Sequence, residues 1–321
     1  MDKRLVLIGG AGLIGSTTVD CLLKEPVREI VVLDNFVRGS RTNLESALRD
    51  PRVVLVNGSM ADREVLTETL SGADGVFLLA SLWLGECVEE PRSAWEVNVL
   101  GSWNVVEACV QLGVPRLVYS SSASVYGDAL TVPMSEDHPF NNRTTYGATK
   151  IACEQMLRAI HQQHGLAFIG NRYMNVYGPR MDARGTYVSV IVKVLEALDA
   201  GRRPVIFGDG SQTYDFVYVT DVARANVLGM KADCVDEFLN IGTGIGTTIN
   251  QLVQRLIALS GAAIEPEYRP QQSMFVTHWI GSTEKAAKLL GFSAEVSLDE
   301  GLTETIHWWR ARQAEAVTVG P

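Results

Sequence analysis

The feature that most constrains the fold is a glycine-rich turn near the start of the chain. Leu5–Ile8 is an apolar run of strand length, Gly9–Gly15 (GGAGLIG) follows it directly, and Ile14–Lys24 has the pattern of an amphipathic helix. Glycines permit a tight turn and let the backbone approach a pyrophosphate, which then lies at the helix N-terminus. A glycine turn alone can be purely structural. Strand, turn and helix in this order predict a dinucleotide site.

An acidic residue supports the same prediction. Asp34 ends the next apolar run, Glu29–Leu33, and stands 19 residues after Gly15. A carboxylate at this position would accept hydrogen bonds from the adenosine ribose hydroxyls and repel a 2′-phosphate. The pattern therefore favours NAD over NADP, although Arg38 lies close by and offers a charge that would weaken this preference.

The N-terminal half repeats the alternation of strand and helix. The predicted strands are Leu5–Ile8, Glu29–Leu33, Val53–Val56, Gly75–Leu79, Leu117–Ser120 and Ala167–Asn171. The predicted helices are Ile14–Lys24, Asp62–Leu70, Pro91–Leu112 and Tyr146–His164. Buried strands that alternate with helices imply βαβ units and a parallel sheet covered on both faces.

Beyond about Tyr173 the pattern is less regular. Here we predict a short strand, Val205–Phe207, and helices at Thr186–Ala200, Asp221–Met230, Thr248–Leu259, Thr283–Leu290 and Leu298–Arg312. The predicted fold class is α/β, with a Rossmann-like doubly wound parallel sheet and a smaller C-terminal α/β substrate domain. The NAD-binding domain would span 1–173, with about 213–243 returning to it, and the substrate domain would span 174–315.

Composition narrows the classes of partner. The 321 residues carry a net charge of −9, which argues against nucleic acid or an anionic membrane as the main partner. Five scattered cysteines without a Cys-x-x-Cys pair favour reduced thiols in a cytoplasmic protein. No apolar run is long enough for a membrane span. We expect no metal, because His161 and His164 belong to a polar helix surface beside two glutamines.

A tyrosine and a lysine suggest acid–base chemistry. Tyr146 and Lys150 are four residues apart on a predicted helix and therefore lie on the same face. A nearby ammonium stabilises phenolate and lowers the pKa of a tyrosine, which can then take a proton from a sugar or alcohol hydroxyl. The same spacing arises by chance in many surface helices, so the pair requires support from other residues.

Several motifs together resemble one family. The chain contains, in the order seen in extended short-chain dehydrogenase/reductases, the segments GGAGLIG, LDNFVRGSRTNL, YSSSASVYG, YGATK, NRYMNVYGPR and IFGDGSQTYDFVYVTDVARA. From about Lys3 to Trp309 it looks most like the nucleotide-sugar 4-epimerases of the UDP-galactose epimerase type. The resemblance implies NAD as cofactor, a nucleotide-sugar substrate, and a homodimer in which helices 91–112 and 146–164 pair into a four-helix bundle.

The resemblance also implies roles for individual residues. Ser122 matches the catalytic serine that hydrogen-bonds the sugar oxygen deprotonated by Tyr146, and Lys150 would also hold the nicotinamide ribose. Asn98 matches a residue that supports the active-site helix, although a merely buried helix amide would look the same. The implied cofactor contacts are Gly9, Gly12, Leu13, Ile14, Gly15, Asp34, Asn35, Ser59, Met60, Leu79, Ala80, Ser81, Asn98, Ser120, Tyr146, Lys150 and Tyr173. The implied substrate contacts are Ser122, Asn175, Arg180, Tyr187, Val188, Tyr214 and Arg269.

The implied reaction is hydride chemistry without a metal. Tyr146 would remove the 4-hydroxyl proton while hydride passes to NAD, and the 4-keto sugar would turn over and be reduced on its other face. Dehydratases of the family usually carry an Asp-Glu pair where Ala123 and Ser124 stand, and decarboxylases tend to have glutamate at Ser124. These absences favour 4-epimerisation. A 4,6-dehydratase, a sugar-acid decarboxylase and a non-catalytic NAD-sensing scaffold are the alternatives.

Two departures from the family pattern concern the substrate. Tyr214 stands where the family usually has arginine, and Gln271–Ser273 replaces the usual start of Arg-x-Gly-Asp. Each loss removes a charge-assisted phosphate contact. Arg180, Arg184 or Arg269 would have to replace them. A UDP-sugar is favoured, and the identity of the sugar is left open.

Overall fold

A parallel sheet of seven strands forms the centre of the protein. The computed structural model describes residues 2–183, 188–271 and 278–319. The strands are β1 (Arg4–Ile8), β2 (Glu29–Asp34), β3 (Val53–Asn57), β4 (Gly75–Leu78), β5 (Arg116–Ser122), β6 (Ala167–Tyr173), β7 (Asn175–Tyr177), β8 (Val205–Phe207), β9 (Thr213–Tyr214), β10 (Phe216–Tyr218), β11 (Glu237–Ile241), β12 (Thr247–Thr248), β13 (Glu267–Arg269) and β14 (His278–Trp279). The large sheet has the order β3-β2-β1-β4-β5-β6-β11, and all its neighbouring strands are parallel.

Helices cover both faces of this sheet. In the described residues the α-helices are α1 (Leu13–Leu22), α2 (Arg63–Leu70), α3 (Leu84–Glu89), α4 (Pro91–Ala94), α5 (Ser102–Gln111), α6 (Thr145–His164), α7 (Val190–Asp199), α8 (Val219–Lys231), α9 (Ile249–Ser260), α10 (Glu284–Leu290) and α11 (Leu298–Val319). Within the described ranges, none is long and apolar enough to cross a membrane.

Alternate residues of each strand enter different cores. In β1, Val6 and Ile8 belong to the core that includes residues of α2, α5 and α6, whereas Leu5 and Leu7 belong to the core with α1 and α8. Because successive side chains point to opposite faces and both faces are covered, the strands are nearly continuous apolar runs. The predicted fold class, a doubly wound α/β sheet with a smaller second part, is confirmed.

The predicted strands of the first half are all present, with ends that differ by at most two residues. The seventh strand, β11, was not predicted, because Asn240 interrupts its apolar run. Its pairing with β6 brings a late segment into the large sheet. The domain boundaries at 173 and 213–243 stay a prediction.

The predicted helix Pro91–Leu112 is present but not uniformly α-helical. A π-helical segment, Trp95–Gly101, lies between α4 and α5 without a break in the chain of helical residues. Such wide turns are frequent at functional sites. This one contains Asn98, whose side chain is almost fully buried.

The C-terminal part has a core of its own. Ile191 and Leu195 of α7, Leu252 and Leu256 of α9, and Trp309 of α11 pack together there. The first residues of the predicted helix Thr186–Ala200 lie outside the described residues, and α11 continues past the predicted end at Arg312 to Val319. Three small sheets complete this part, in the orders β10-β7, β12-β9-β14 and β13-β8.

Candidate active site

The carboxyl ends of the central parallel strands open into a cavity of about 860 Å³, which is where open α/β sheets bind their ligands. Most predicted site residues line it. At its wall the structure brings together Gly9, Gly12, Leu13, Ile14, Gly15, Asp34, Asn35, Ser59, Met60, Leu79, Ala80, Ser81, Ser120, Ser122, Tyr146, Tyr173, Asn175 and Arg180. Sequence positions far apart in the chain therefore share one site.

The glycine turn at the cavity wall brings backbone atoms closer together than a side chain would allow. Gly9 has a positive φ of 81°, and a Cβ on Gly15 would stand 2.5 Å from the Gly9 carbonyl oxygen. Helix α1 begins immediately afterwards, and its N-cap, Gly12, has no side chain to occupy the first free N–H groups. This cradle, which a Cβ would fill, fits the pyrophosphate of a dinucleotide.

Asp34 is fixed at the next strand end. Its two carboxylate oxygens accept hydrogen bonds from the Ala11 and Phe36 N–H groups, each at 2.8 Å. The side chain is nearly buried yet lines the cavity, so its remaining lone pairs are available to ribose hydroxyls.

Arg38 does not offer an unbalanced charge beside Asp34. One of its guanidinium nitrogens hydrogen-bonds Glu86, another lies 3.1 Å from Asp182 Oδ2, and the group stacks 4.7 Å from the centre of the Trp83 ring. Two carboxylates thus compete with any 2′-phosphate for this cation. The arrangement agrees with a preference for NAD.

The opposite end of the cavity holds the predicted catalytic residues. Strand β5 ends in three serines, of which Ser122 faces the cavity and accepts the Ser124 N–H at 3.1 Å. Helix α6 places Tyr146 at the wall and Lys150 one turn further on, with Nζ 5.6 Å from the centre of the Tyr146 ring. Lys150 Nζ donates to the Ser120 carbonyl oxygen at 2.7 Å, which joins the helix to the strand end.

The pKa values of this pair differ from the sequence-based expectation. Burial raises the pKa of Tyr146 to about 12, and the neighbouring Ser122 and Ser81 lower it only in part. Burial also lowers the pKa of Lys150 to about 8. The pKa of Tyr146 is therefore raised overall, and not lowered as the sequence pattern predicted, because the effect of burial outweighs that of its neighbours.

Asn98 lies behind the cavity wall and supports it. Its Oδ1 accepts the Leu82 N–H at 2.7 Å, and its Nδ2 donates to the Leu82 carbonyl at 3.0 Å and to Thr149 Oγ1 at 3.2 Å. Through Asn98, the π-helical segment therefore connects two parts of the site. One is the loop after β4, where Leu82 follows Ser81, and the other is α6, where Thr149 lies between Tyr146 and Lys150. The contact partners are those of a supporting residue.

A buried ion pair lies below Lys150 on α6. Glu154 accepts from Arg172 Nη2 at 2.7 Å and from Ser121 Oγ at 2.5 Å, and neither charged side chain is more than 3% exposed. Arg172 also donates to the Tyr126 hydroxyl at 2.9 Å. This network fixes the end of β5 against α6.

The substrate side of the cavity contains polar atoms without partners. Asn175 Nδ2 and Ser124 Oγ are buried, and neither has a hydrogen-bond partner in the part of the chain that the structure describes. Both residues line the cavity. Buried polar groups that lack protein partners are expected to bind a ligand or water. Arg180 is also at the wall, and its guanidinium lies 2.7 Å from Asp20 Oδ2 without hydrogen-bond alignment.

Other predicted substrate residues lie elsewhere. Val188 and Tyr214 do not line the cavity; both pack against the C-terminal core. Arg269 stands on β13, about half exposed, and pairs with Glu267 at 2.9 Å. Its strand pairs with β8 in a small sheet, and Arg269 does not line the cavity. Tyr187 lies outside the described residues.

Sequence reasoning missed several cavity residues. Trp279 of β14 lines the wall and donates its indole N–H to the Gly127 carbonyl at 2.8 Å. Trp83 and Phe216 line it as well. No local motif marks Trp279, because its place depends on the pairing of β14 with β9. Among the described residues, no group of three or more His, Cys, Asp or Glu side chains could hold a metal ion.

Comparisons with known proteins agree with this architecture. Residues 5–242 match the model of the NAD dependent epimerase/dehydratase family. A UDP-glucose 4-epimerase of Mycolicibacterium smegmatis is 35% identical over 311 residues, which cover 96% of this chain and 98% of that protein.

Two solved structures are similar over nearly their whole length. The UDP-glucose 4-epimerase of Thermotoga maritima with UDP-glucose has a TM-score of 0.90 and 34% identity, covering 97% of this chain and 99% of that one. A dTDP-glucose 4,6-dehydratase of Streptomyces venezuelae with NAD bound has a TM-score of 0.91 and 28% identity, covering 97% and 98%. The similar proteins thus include enzymes that catalyse two different reactions on nucleotide sugars.

Proposed function

Because the chain belongs to the NAD-dependent epimerase/dehydratase family and takes NAD as its cofactor, we propose that it is a nucleotide-sugar 4-epimerase acting on a UDP-sugar. The observation that carries the proposal is the common cavity of the glycine cradle, Asp34, Ser122 and Tyr146. The cradle and Asp34 suit a dinucleotide at one end. Ser122 and Tyr146 would face the sugar at the other.

NAD, when bound, supplies a reversible hydride acceptor for C4 of the sugar. Tyr146 takes the 4-hydroxyl proton as the 4-keto sugar forms and returns it when the sugar is reduced on its other face. Ser122 holds the sugar oxygen by a hydrogen bond in both directions. The same residues therefore serve both halves of an epimerisation.

The raised pKa of Tyr146 defines the task of Lys150. At neutral pH the pKa of about 8 leaves the Lys150 ammonium mostly charged while Tyr146 is neutral. With its Nζ 5.6 Å from the centre of the Tyr146 ring, the Lys150 ammonium stabilises the negative charge that develops on the phenol oxygen. This stabilisation acts as negative charge forms, which is when it lowers the barrier.

The residues after Ser122 support epimerisation over elimination or decarboxylation. Ala123 and Ser124 carry no carboxyl group, so neither can act as the additional acid or base that the loss of water requires. The partnerless Ser124 Oγ instead offers a neutral hydrogen bond to the sugar. Asn175 Nδ2 offers a second one to the sugar or diphosphate.

The test is turnover of a panel of UDP-, dTDP-, GDP- and CDP-sugars, with products identified by NMR. The proposal expects conversion of a UDP-sugar to its C4 epimer without change in mass. A product lighter by water identifies a dehydratase, and loss of a carboxyl carbon identifies a decarboxylase. Bound NAD without turnover of any sugar would favour the sensing scaffold.

We also propose a homodimer through one apolar surface. Trp95, Leu100 and Trp103 are exposed on the π-helical segment and α5, next to Met156 and Ile160 of α6. A contiguous apolar patch of this kind marks a protein interface, and a second copy of the chain would cover it in a two-fold pair. Leu100→Glu should convert a dimer into a monomer in light scattering. A monomeric parent protein would refute the proposal.

The cytoplasmic location stays a prediction. It rests on the five cysteines, all of which are free thiols in the structure.

A further inference from the structure

Three separate segments meet at Arg38. This residue follows β2, Trp83 and Glu86 follow β4, and Asp182 follows β7. The Arg38 guanidinium hydrogen-bonds Glu86 with one nitrogen, lies 3.1 Å from Asp182 Oδ2 with the other, and stacks on the Trp83 ring. We call Arg38, Glu86 and Asp182 the clasp.

The clasp lies at the wall of the cavity. Arg38, Trp83 and Asp182 all line it. Arg38 is four residues beyond Asp34, in the segment that borders the predicted adenosine site. Asp182 directly follows Met181, in the segment that borders the substrate side. The pair Arg38–Asp182 therefore joins the segment after β2 directly to the segment after β7 at the cavity wall.

The contacts are more sheltered than ordinary surface ion pairs. The side chains of Arg38, Glu86 and Asp182 are 26%, 30% and 19% exposed. By contrast, the pair Arg49–Glu45, a few residues further along the chain, is 79% and 72% exposed with its atoms 3.8 Å apart. Exposed pairs contribute little, whereas an arginine whose planar fork engages two partly buried carboxylates holds its partners in one geometry.

Glu86 also fixes the segment to which it belongs. Its second carboxylate oxygen accepts the Trp83 N–H at 2.9 Å and so closes the first turn of α3. Because Trp83 in turn supports the flat face of Arg38, the loop after β4 cannot move away without breaking both contacts. Among the described residues, Arg38 contacts Trp83 and Glu86 after β4 and Asp182 after β7.

We infer that the clasp retains NAD in the cavity by linking the loop after β2 to the segment after β7 over the bound cofactor. NAD can leave only after these segments separate, so the contacts between them set its dissociation rate. The inference concerns the cofactor and holds for whichever sugar is turned over. The three residues are positioning residues, since they act through the segments they join.

Retention by the clasp differs from direct binding of a phosphate by Arg38. In the clasp, the carboxylates are required, so Asp182→Asn and Glu86→Gln both release NAD faster. If Arg38 were only a phosphate ligand, removal of either carboxylate would leave NAD bound at least as tightly, because one fewer carboxylate would compete with the phosphate for the Arg38 guanidinium. The two carboxamide variants therefore separate the explanations.

The experiment measures dissociation of NAD from the loaded protein, with an NAD glycohydrolase in excess to destroy every released molecule. The variants are Arg38→Met, Asp182→Asn, Glu86→Gln and the double variant Arg38→Met/Asp182→Asn. The matched control is Arg49→Met, which removes the exposed ion pair on the same stretch of chain. Thermal unfolding with saturating NAD checks the integrity of each variant.

Each single variant should release NAD about tenfold faster, as expected for coupled contacting residues. The double variant should be no faster than Arg38→Met, and the control should match the parent protein. Unchanged rates in Asp182→Asn and Glu86→Gln, or additive effects in the double variant, would overturn the clasp. If Arg38→Met unfolds, Arg38→Lys replaces it, and a release rate equal to that of the parent protein would count against the fork geometry.

Discussion

The sequence predicted the residues at the cofactor end of the cavity better than those at the substrate end. On the cofactor side, every predicted residue either lines the cavity or, like Asn98 and Lys150, lies directly behind its wall. On the substrate side, Asn175 and Arg180 line it, whereas Tyr214 and Arg269 do not.

The difference arises because the two groups of residues lie at different kinds of strand. Cofactor residues follow the ends of long parallel strands, and the sheet carries all those ends to one edge. Substrate residues come from two- and three-residue strands such as β9, β13 and β14, whose partners are distant in sequence. A local pattern can locate the first group but not the second.

The largest expected effect lies at the centre of the cavity. Tyr146→Phe should lower kcat by about 10²- to 10⁴-fold, because only the acid–base hydroxyl is lost. NAD content and folding should stay as in the parent. Tyr218→Phe is the matched control, since Tyr218 is buried but does not line the cavity. Near-parental turnover in Tyr146→Phe would show that Tyr146 is not the acid–base group.

A glycine pair sharpens the cofactor side of the comparison. A Cβ on Gly15 would meet the Gly9 carbonyl oxygen at 2.5 Å, whereas one on Gly12 would stand at an ordinary 3.7 Å from the same atom. Gly15→Ala should weaken NAD binding by roughly 10- to 100-fold through overpacking of the turn. Gly12→Ala should leave the turn unstrained but also weaken binding, because its Cβ would project into the space that the cradle leaves for the pyrophosphate. Parental affinity of both variants in titration calorimetry would show that the turn is not the cradle.

The buried lysine has a consequence for the pH dependence of stability. The pKa of Lys150 is about 8 in the folded protein and about 10.4 when unfolded, so between these values only the unfolded chain binds the proton. The Lys150 contribution to the free energy of unfolding therefore rises with pH across this window, by on the order of 3 kcal/mol. Denaturant titrations should show the parent gaining on Lys150→Met by this amount from pH 8 to 10.5. A constant difference would mean that Lys150 is not desolvated.

The smallest effect is expected for an arginine assigned to the substrate by resemblance. Arg269→Gln should change KM by less than about twofold, because an exposed ion pair away from the cavity contributes little. Arg180→Gln, at the wall, should raise KM by roughly tenfold, the value of one charge-assisted contact. A reversal of these two results in steady-state kinetics would break the comparison.

Much of the fold could be predicted because local patterns determine it. The strands of the first half are buried on both faces and therefore stand out as apolar runs. Strand β11 was missed because Asn240 interrupts the run, and that asparagine is required inside, where its side chain binds the Met134 carbonyl at 2.9 Å and accepts the Tyr126 hydroxyl at 2.6 Å. Its polar character reflects a tertiary contact that no local pattern reports.

The sequence predicted where the site residues lie better than it predicted their pKa values. The spacing of Tyr146 and Lys150 placed both on one face of α6, as expected. The direction of the Tyr146 pKa shift was wrong, because the sequence shows the neighbouring charge but not the burial of the tyrosine that outweighs it. Desolvation depends on the whole cavity and becomes visible only in the folded protein.

The most direct test of the central claim follows a label at the reacting carbon. UDP-galactose deuterated at C4 is incubated with the NAD-loaded protein, and the products are examined by NMR and mass spectrometry. The account predicts a C4 epimer that keeps its deuterium at C4, since the hydride taken from C4 would return to the same carbon before the sugar leaves the cavity. Loss of the label to solvent, loss of water, or no conversion of this or any other UDP-sugar would contradict it.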